Sequence, residues 1–91
     1  MATYDIGTDI QMTGTFRDLT GALADPSTVT AKLIDPTGSE TTLSPSKVST
    51  GVYNATFTPS LSGWHYYRFA GTGSVTAAGE GAFYVKEQKV P

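Results

Sequence analysis

The chain has 91 residues, no cysteine, and a formal net charge of −2 with only 15% charged residues. That length fits a single domain, 1–91, with one modest core, and without cysteine it excludes the disulfide staples of small secreted domains. The weak charge excludes the basic footprint of a nucleic-acid binder or of a protein drawn to an anionic membrane.

The opening Met1-Ala2-Thr3-Tyr4-Asp5 has neither a basic region nor an apolar run, so it does not read as a signal peptide. No apolar stretch approaches the ~20 residues that cross a bilayer as a helix. A Met start and a Val90-Pro91 end read as those of a complete small product. Ten glycines and five prolines punctuate the chain, and no window places apolar residues at helical spacing between good caps. Short β-branched and aromatic runs at fairly even intervals predict an all-β fold.

Tyr4–Ile6 reads as a short first strand. From Asp9 to Arg17 the chain alternates: Ile10, Met12, Gly14 and Phe16 fall on one side, with Gln11, Thr13, Thr15 and Arg17 on the other. Period two with one polar face marks a half-buried antiparallel strand. Residues 18–26 form a loop broken by Asp25-Pro26, with leucines expected to tuck under the sandwich. Thr28–Ile34 is the next strand, with Val29, Ala31 and Leu33 inward. Asp35-Pro36-Thr37-Gly38 fits a type I turn at each position. Glu40–Leu43 returns as a short edge strand, and Ser44–Thr50 reads as polar loop.

Six of the ten aromatic residues lie between Gly51 and Phe69. Val52–Thr58 places Tyr53, Ala55 and Phe57 on one face, and Pro59, with no N–H to donate, ends the ladder. Gly63–Ala70 is the most aromatic strand. Its two faces are Trp64, Tyr66, Arg68 and His65, Tyr67, Phe69, which a one-residue slip would exchange. Placing His65, Tyr67 and Phe69 inward leaves Arg68 in solvent. Tyr53, Phe57, Tyr67 and Phe69 then form the aromatic core, and Trp64, Tyr66 and Arg68 are surplus surface of the kind that meets a protein partner. Gly71–Ser74 turns, Ala77–Gly79 continues the loop, and Gly81–Lys86 is the last strand. About seven strands in this length predict an immunoglobulin-like antiparallel β-sandwich.

The chemistry-bearing residues are sparse. His65 is the only histidine, lies mid-strand, and has no serine elbow to serve, so a partly buried structural role is its default and no catalytic residue is assigned. Asp5 with Asp9, and Asp18 with Asp25, lack the spacing of a calcium loop and read as turn and cap residues. Gly71-Thr72-Gly73-Ser74 precedes no helix and reads as a hairpin loop, not a phosphate cradle. Asn54-Ala55-Thr56 has the pattern of a glycosylation site but falls mid-strand. The chain reads as a protein without catalytic activity, metal or cofactor.

The run Thr50-Gly51-Val52-Tyr53-x-Ala55-x-Phe57-x-Pro59, followed by Ser62-Gly63-x-x-Tyr66-Tyr67-Arg68-Phe69-x-Gly71-Thr72-Gly73, resembles small immunoglobulin-like proteins of tailed bacteriophages and prophages. Tyr4–Gly7, Thr15–Asp18 and the segment from Val29 to Gly38 are similar too, so the resemblance covers nearly the whole chain. These are mainly fold residues, shared in outline with filamin-type and bacterial immunoglobulin-like modules. The family more often has Trp at the position of His65 and a small polar residue at that of Trp64, which implies that His65 points inward and Trp64 is an outward addition. The resemblance implies a virion structural protein, made in the bacterial host cytoplasm and assembled on the capsid, connector, neck or tail, with copies of itself as a further partner. It implies neither nucleic acid nor membrane as a partner. Repetition on a particle multiplies a weak contact, and outer strands offer a second docking mode by strand addition. The alternative function is a carbohydrate- or host-surface-binding module that uses Trp64 and Tyr66 as a stacking platform.

Overall fold

Alternating side chains decide which side of each strand is dry, and the dry sides meet between two sheets. The computed structural model describes residues 3–73 and 75–89. The expectations for Met1-Ala2, for Ser74 and for the Val90-Pro91 end lie outside these residues. Among the described residues eight strands form: β1 (Thr3–Tyr4), β2 (Ile10–Thr15), β3 (Thr28–Ile34), β4 (Glu40–Leu43), β5 (Ser46–Ser49), β6 (Val52–Phe57), β7 (Gly63–Thr72) and β8 (Ala77–Val85). One sheet has the order β1-β8-β7-β3-β4 and the other β2-β6-β5. The result is an immunoglobulin-like β-sandwich. Every strand pairing is antiparallel except that of β1 with β8, which is parallel.

The inward positions are those the alternation marks. Ile10, Met12 and Phe16 are buried from the β2 side, Ala31 and Leu33 from β3, Ala55 from β6, His65 and Phe69 from β7, and Phe83 and Val85 from β8. Burying one such large apolar side chain contributes about 1.5–3 kcal/mol. Gly14 continues the inward row of β2, and a Cβ there would stand 2.5 Å from Cγ of Phe69. The missing side chain lets the second sheet close onto that ring. Of the four aromatics expected in the core, Phe69 is fully buried, while Tyr53, Phe57 and Tyr67 are partly buried and pack against it. Phe16, Phe83 and His65 lie deeper than those three.

The register of β7 is the expected one: His65 and Phe69 are buried, and Trp64, Tyr66 and Arg68 are exposed. Asp35 also behaves as expected. Gly38 N–H donates to its carbonyl at 3.0 Å, and Oδ1 accepts from the N–H groups of Thr37 and Ser39 at 2.9 and 3.0 Å.

Four expectations need correction. Ser44–Thr50 is not all loop, because Ser46–Ser49 pairs with β6 as an exposed edge strand. Every residue of β5 faces water, so no alternation could mark it. The Ala77–Gly79 segment is strand, not loop: β7 runs on to Thr72, and Gly71 pairs with Ala77. An established ladder carries residues of low β propensity with it. Leu19 and Leu23 do not tuck under the sandwich; both are exposed. Asp18 holds Leu19 at a turn tip, with Oδ1 accepting from the Thr20 N–H and hydroxyl and from the Ala22 N–H. The first strand is Thr3–Tyr4, because Gly7 N–H donates to the Pro59 carbonyl and turns the chain toward the second sheet.

Candidate functional site

The outer face of the five-stranded sheet gathers the surplus residues of β7 with neighbours from both flanking strands. Trp64 lies opposite Tyr84 of β8, and their rings meet edge to face with centroids 5.4 Å apart. Tyr66 sits between Ala82 of β8 and Ile34 of β3. Tyr84, Trp64, Ala82, Tyr66 and Ile34 therefore form an apolar band crossing three strands at one end of the sheet. Within it Trp64, Tyr66 and Ile34 are 39%, 54% and 42% exposed. Rigid amphipathic rings on a flat backbone are the groups that supply contact area at low entropic cost.

Beside this band runs a row of charges. Arg68 lies between Glu80 and Lys32, two residues along from Tyr66 on the same face. Arg68 and Lys32 are directly opposed like charges, which alone would destabilise the pair. Arg68 donates to Glu80 at 3.1 Å, and Lys32 pairs with Glu40 at 3.1 Å. These exposed pairs contribute little to stability, typically about 0–1 kcal/mol, but they set two central cations between flanking carboxylates, a pattern that can orient a partner.

The structure thus brings Trp64, Tyr66 and Arg68 onto one face and adds Ile34, Tyr84 and Lys32 to it. Ile34 is the last residue of its strand before the Asp35 turn, and Tyr84 belongs to a strand 20 residues downstream of Trp64. Only the cross-strand pairing reveals either. Next to Tyr84, a depression of about 630 Å³ opens between Asp5-Ile6 and Lys86–Lys89, with an Asp5–Lys86 ion pair of 3.1 Å at its rim.

His65 is 1% exposed rather than partly buried. Its ring stacks on Phe83 with centroids 5.0 Å apart and planes 9° from parallel, and Nδ1 lies 3.1 Å from the Gly63 carbonyl. It is a core aromatic. The aspartates weighed as metal ligands hold loops: Asp9 pairs with the Thr58 hydroxyl, Asp18 caps its turn, and Asp5 meets Lys86. No group of three or more metal-ligating side chains occurs among the described residues. Asn54, in β6, accepts from the Thr13 hydroxyl at 2.9 Å.

Asp25 ties the 18–26 loop to the β5–β6 turn, accepting from Lys47 Nζ at 2.6 Å and from Gly51 N–H at 2.7 Å. The Lys47 bond, then the Gly51 bond, hold its carboxyl below the usual carboxylate range, and the same pairing raises Lys47. Asp18 and Asp35 are lowered too, first by the hydroxyls of Thr20 and Thr37. Because the folded value of Asp25 lies below its unfolded one, its contribution is complete at neutral pH and is lost as pH falls through the lowered value. Lys47, raised on folding, contributes below the ordinary lysine range and loses that contribution as pH rises through its raised value. In an acid titration followed by NMR, the Gly51 amide should shift with a midpoint below that of an ordinary aspartate. Asp25→Asn should abolish that shift, and an ordinary midpoint would contradict the assignment.

No family model matches the chain, and no curated protein matches it. Solved structures do. The crystal structure of the Lin-41 filamin domain is similar at 19% identity with a TM-score of 0.74, covering 92% of this chain and 82% of that one. A DUF4785 family protein from Legionella pneumophila is similar at 20% identity and a TM-score of 0.70, over 93% of this chain and 26% of that one. A putative glycoside hydrolase from Bacteroides vulgatus matches at 13% identity and a TM-score of 0.66, over 98% and 17%. The chain spans about a quarter or less of the last two proteins. At these identities the shared property is the fold alone, an immunoglobulin-like β-sandwich.

Proposed function

We propose that the protein is a non-enzymatic structural component of a bacteriophage virion, docking on the capsid or the head–tail or neck region through the outer face of its five-stranded sheet. The observation that carries the docking reading is the band of exposed Trp64, Tyr66 and Ile34 with half-buried Tyr84, beside the Arg68–Glu80 and Lys32–Glu40 ion pairs. Tryptophan, tyrosine and arginine are the residues that most often dominate binding energy, each at about 2 kcal/mol or more when central. The virion assignment is supported by the resemblance of the Thr50–Pro59 and Ser62–Gly73 runs to small phage immunoglobulin-like proteins. Multiple copies on one particle would turn a band of this size into a stable attachment.

The test is incorporation into particles. Mass spectrometry of purified particles should find the protein, and the Trp64→Ala/Tyr66→Ala double variant should fall at least roughly tenfold in copy number while keeping the wild-type thermal transition. Normal incorporation of that variant would overturn docking through this face. If it incorporated normally but lost binding to host-surface glycans, the carbohydrate-binding reading would replace this one.

A further inference from the structure

The two sheets leave one flank of the sandwich open. Three of the four terminal strands carry features that discourage further pairing. β1 has two residues, β4 has four and begins with Glu40, and β5 contains Lys47 and a register shift between Lys47 and Ser49. β2 has none. It runs six residues, Ile10-Gln11-Met12-Thr13-Gly14-Thr15, in unbroken register with β6 and without charge or proline.

The backbone polarity of that edge follows from one bond. Phe16 N–H donates to the Gly51 carbonyl at 2.7 Å, on the β6 side. Alternation along the strand then aims the N–H and C=O groups of Gln11, Thr13 and Thr15 away from β6, at the free edge. Across the flank, β1 covers only Tyr84 and Val85 of β8. Beyond the buried Phe83, the inward positions of β8 are Gly81, Gly79 and Ala77, and a Cβ at Gly79 would meet nothing within 4 Å. Between the two strands lies a groove of about 140 Å³, lined by Thr13, Gly14, Tyr67, Phe69 and Gly79 and bordered by Glu80, whose carboxylate pairs with Arg68. A space of that size holds one aliphatic or small aromatic group.

We propose that the free edge of β2 receives an extended, uncharged segment of a partner protein, which adds as a further strand and seats one aliphatic side chain in the groove over Gly79. The edge supplies hydrogen bonds that only an extended backbone can match, and the groove supplies the side-chain preference. A second folded copy fits less well. Its own β2 has Ile10 and Met12 committed to its own core, leaving the groove empty. An edge of ~20 Å would bury far less than the ~1,200 Å² of a stable interface between folded proteins. The strand offers neither sign of charge a partner, so an uncharged segment loses least on desolvation. This site meets the outer face only at Glu80 and does not rest on the virion assignment.

The probe is an end-capped hexapeptide of alternating valine and threonine, titrated to millimolar concentration into the full chain and followed by NMR and amide exchange. The amides of Gln11, Thr13 and Thr15 should shift and gain protection, with Phe69 side-chain signals moving in step. Thr13→Pro removes an edge donor without removing a β2–β6 bond, and Gly79→Leu fills the groove where a Cβ meets no atom. Each should weaken the peptide by roughly tenfold or more. Absence of shifts in the wild type, or equal binding by a folded Gly79→Leu, overturns the proposal. Concentration-dependent protection of Thr13 and Thr15 without peptide overturns it in favour of a second copy.

Discussion

Replacing Phe83 by alanine is expected to lower stability by about 3–5 kcal/mol, the range for deleting a buried aromatic ring. Phe83 is 2% exposed and joins three other rings: His65 stacks on it at 5.0 Å, Tyr4 meets it edge-on at 5.7 Å, and Tyr67 lies 6.3 Å away. Its removal opens space that those neighbours cannot close, since Tyr4 is held in β1 and His65 and Tyr67 in the β7 ladder. Domains of this size have total stabilities of about 5–15 kcal/mol, so the variant should unfold early in denaturant with an unchanged slope. A loss below about 1 kcal/mol would show that the ring cluster is not central to the core.

The second large effect is expected at Gly51. Its φ is +74°, and a Cβ would stand 2.6 Å from the Phe16 carbonyl oxygen and 2.9 Å from the Ala24 nitrogen. Both are backbone atoms in use, because Phe16 O accepts from Ala24 N–H at 3.2 Å and Phe16 N–H donates to Gly51 O at 2.7 Å. Gly51→Ala therefore combines a disfavoured backbone region with a collision against atoms that cannot move alone, at about 3 kcal/mol. Gly21→Ala gives the control: φ is +89° there, but a Cβ meets nothing within 4 Å. The control should lose only the conformational part. Equal losses in the two variants would show that the backbone contacts at Gly51 contribute nothing.

The sequence carried some of this and withheld the rest for physical reasons. The β7 register was legible because inverting it would have buried Arg68, and the inward row of β2 was legible because its polar partners are all Thr, Gln or Arg. β5 was not, since an edge strand wet on both faces has no period to detect. The Ala77–Gly79 segment was not either: its strand state comes from pairing with β7, not from its own residues. Trp64, Tyr66 and Arg68 could be assigned to one face from spacing alone. Ile34 and Tyr84 could not, because membership of that face depends on which strands lie beside β7. Nor does any local pattern say that β2 is left without a second neighbour.

The parallel pairing of β1 with β8 has a mechanical consequence. Thr3 lies beside Tyr84, Tyr4 beside Val85, and Lys86 N–H donates to the Tyr4 carbonyl at 2.9 Å. Tension applied through residues before Thr3 and after Lys86 would drag these two strands in opposite directions along one axis. The bonds between them would then be loaded together in shear, instead of opening one after another like a zip. Resistance to such a pull is set by the rate of unfolding rather than by equilibrium stability, and it is concentrated in the shortest strand among the described residues.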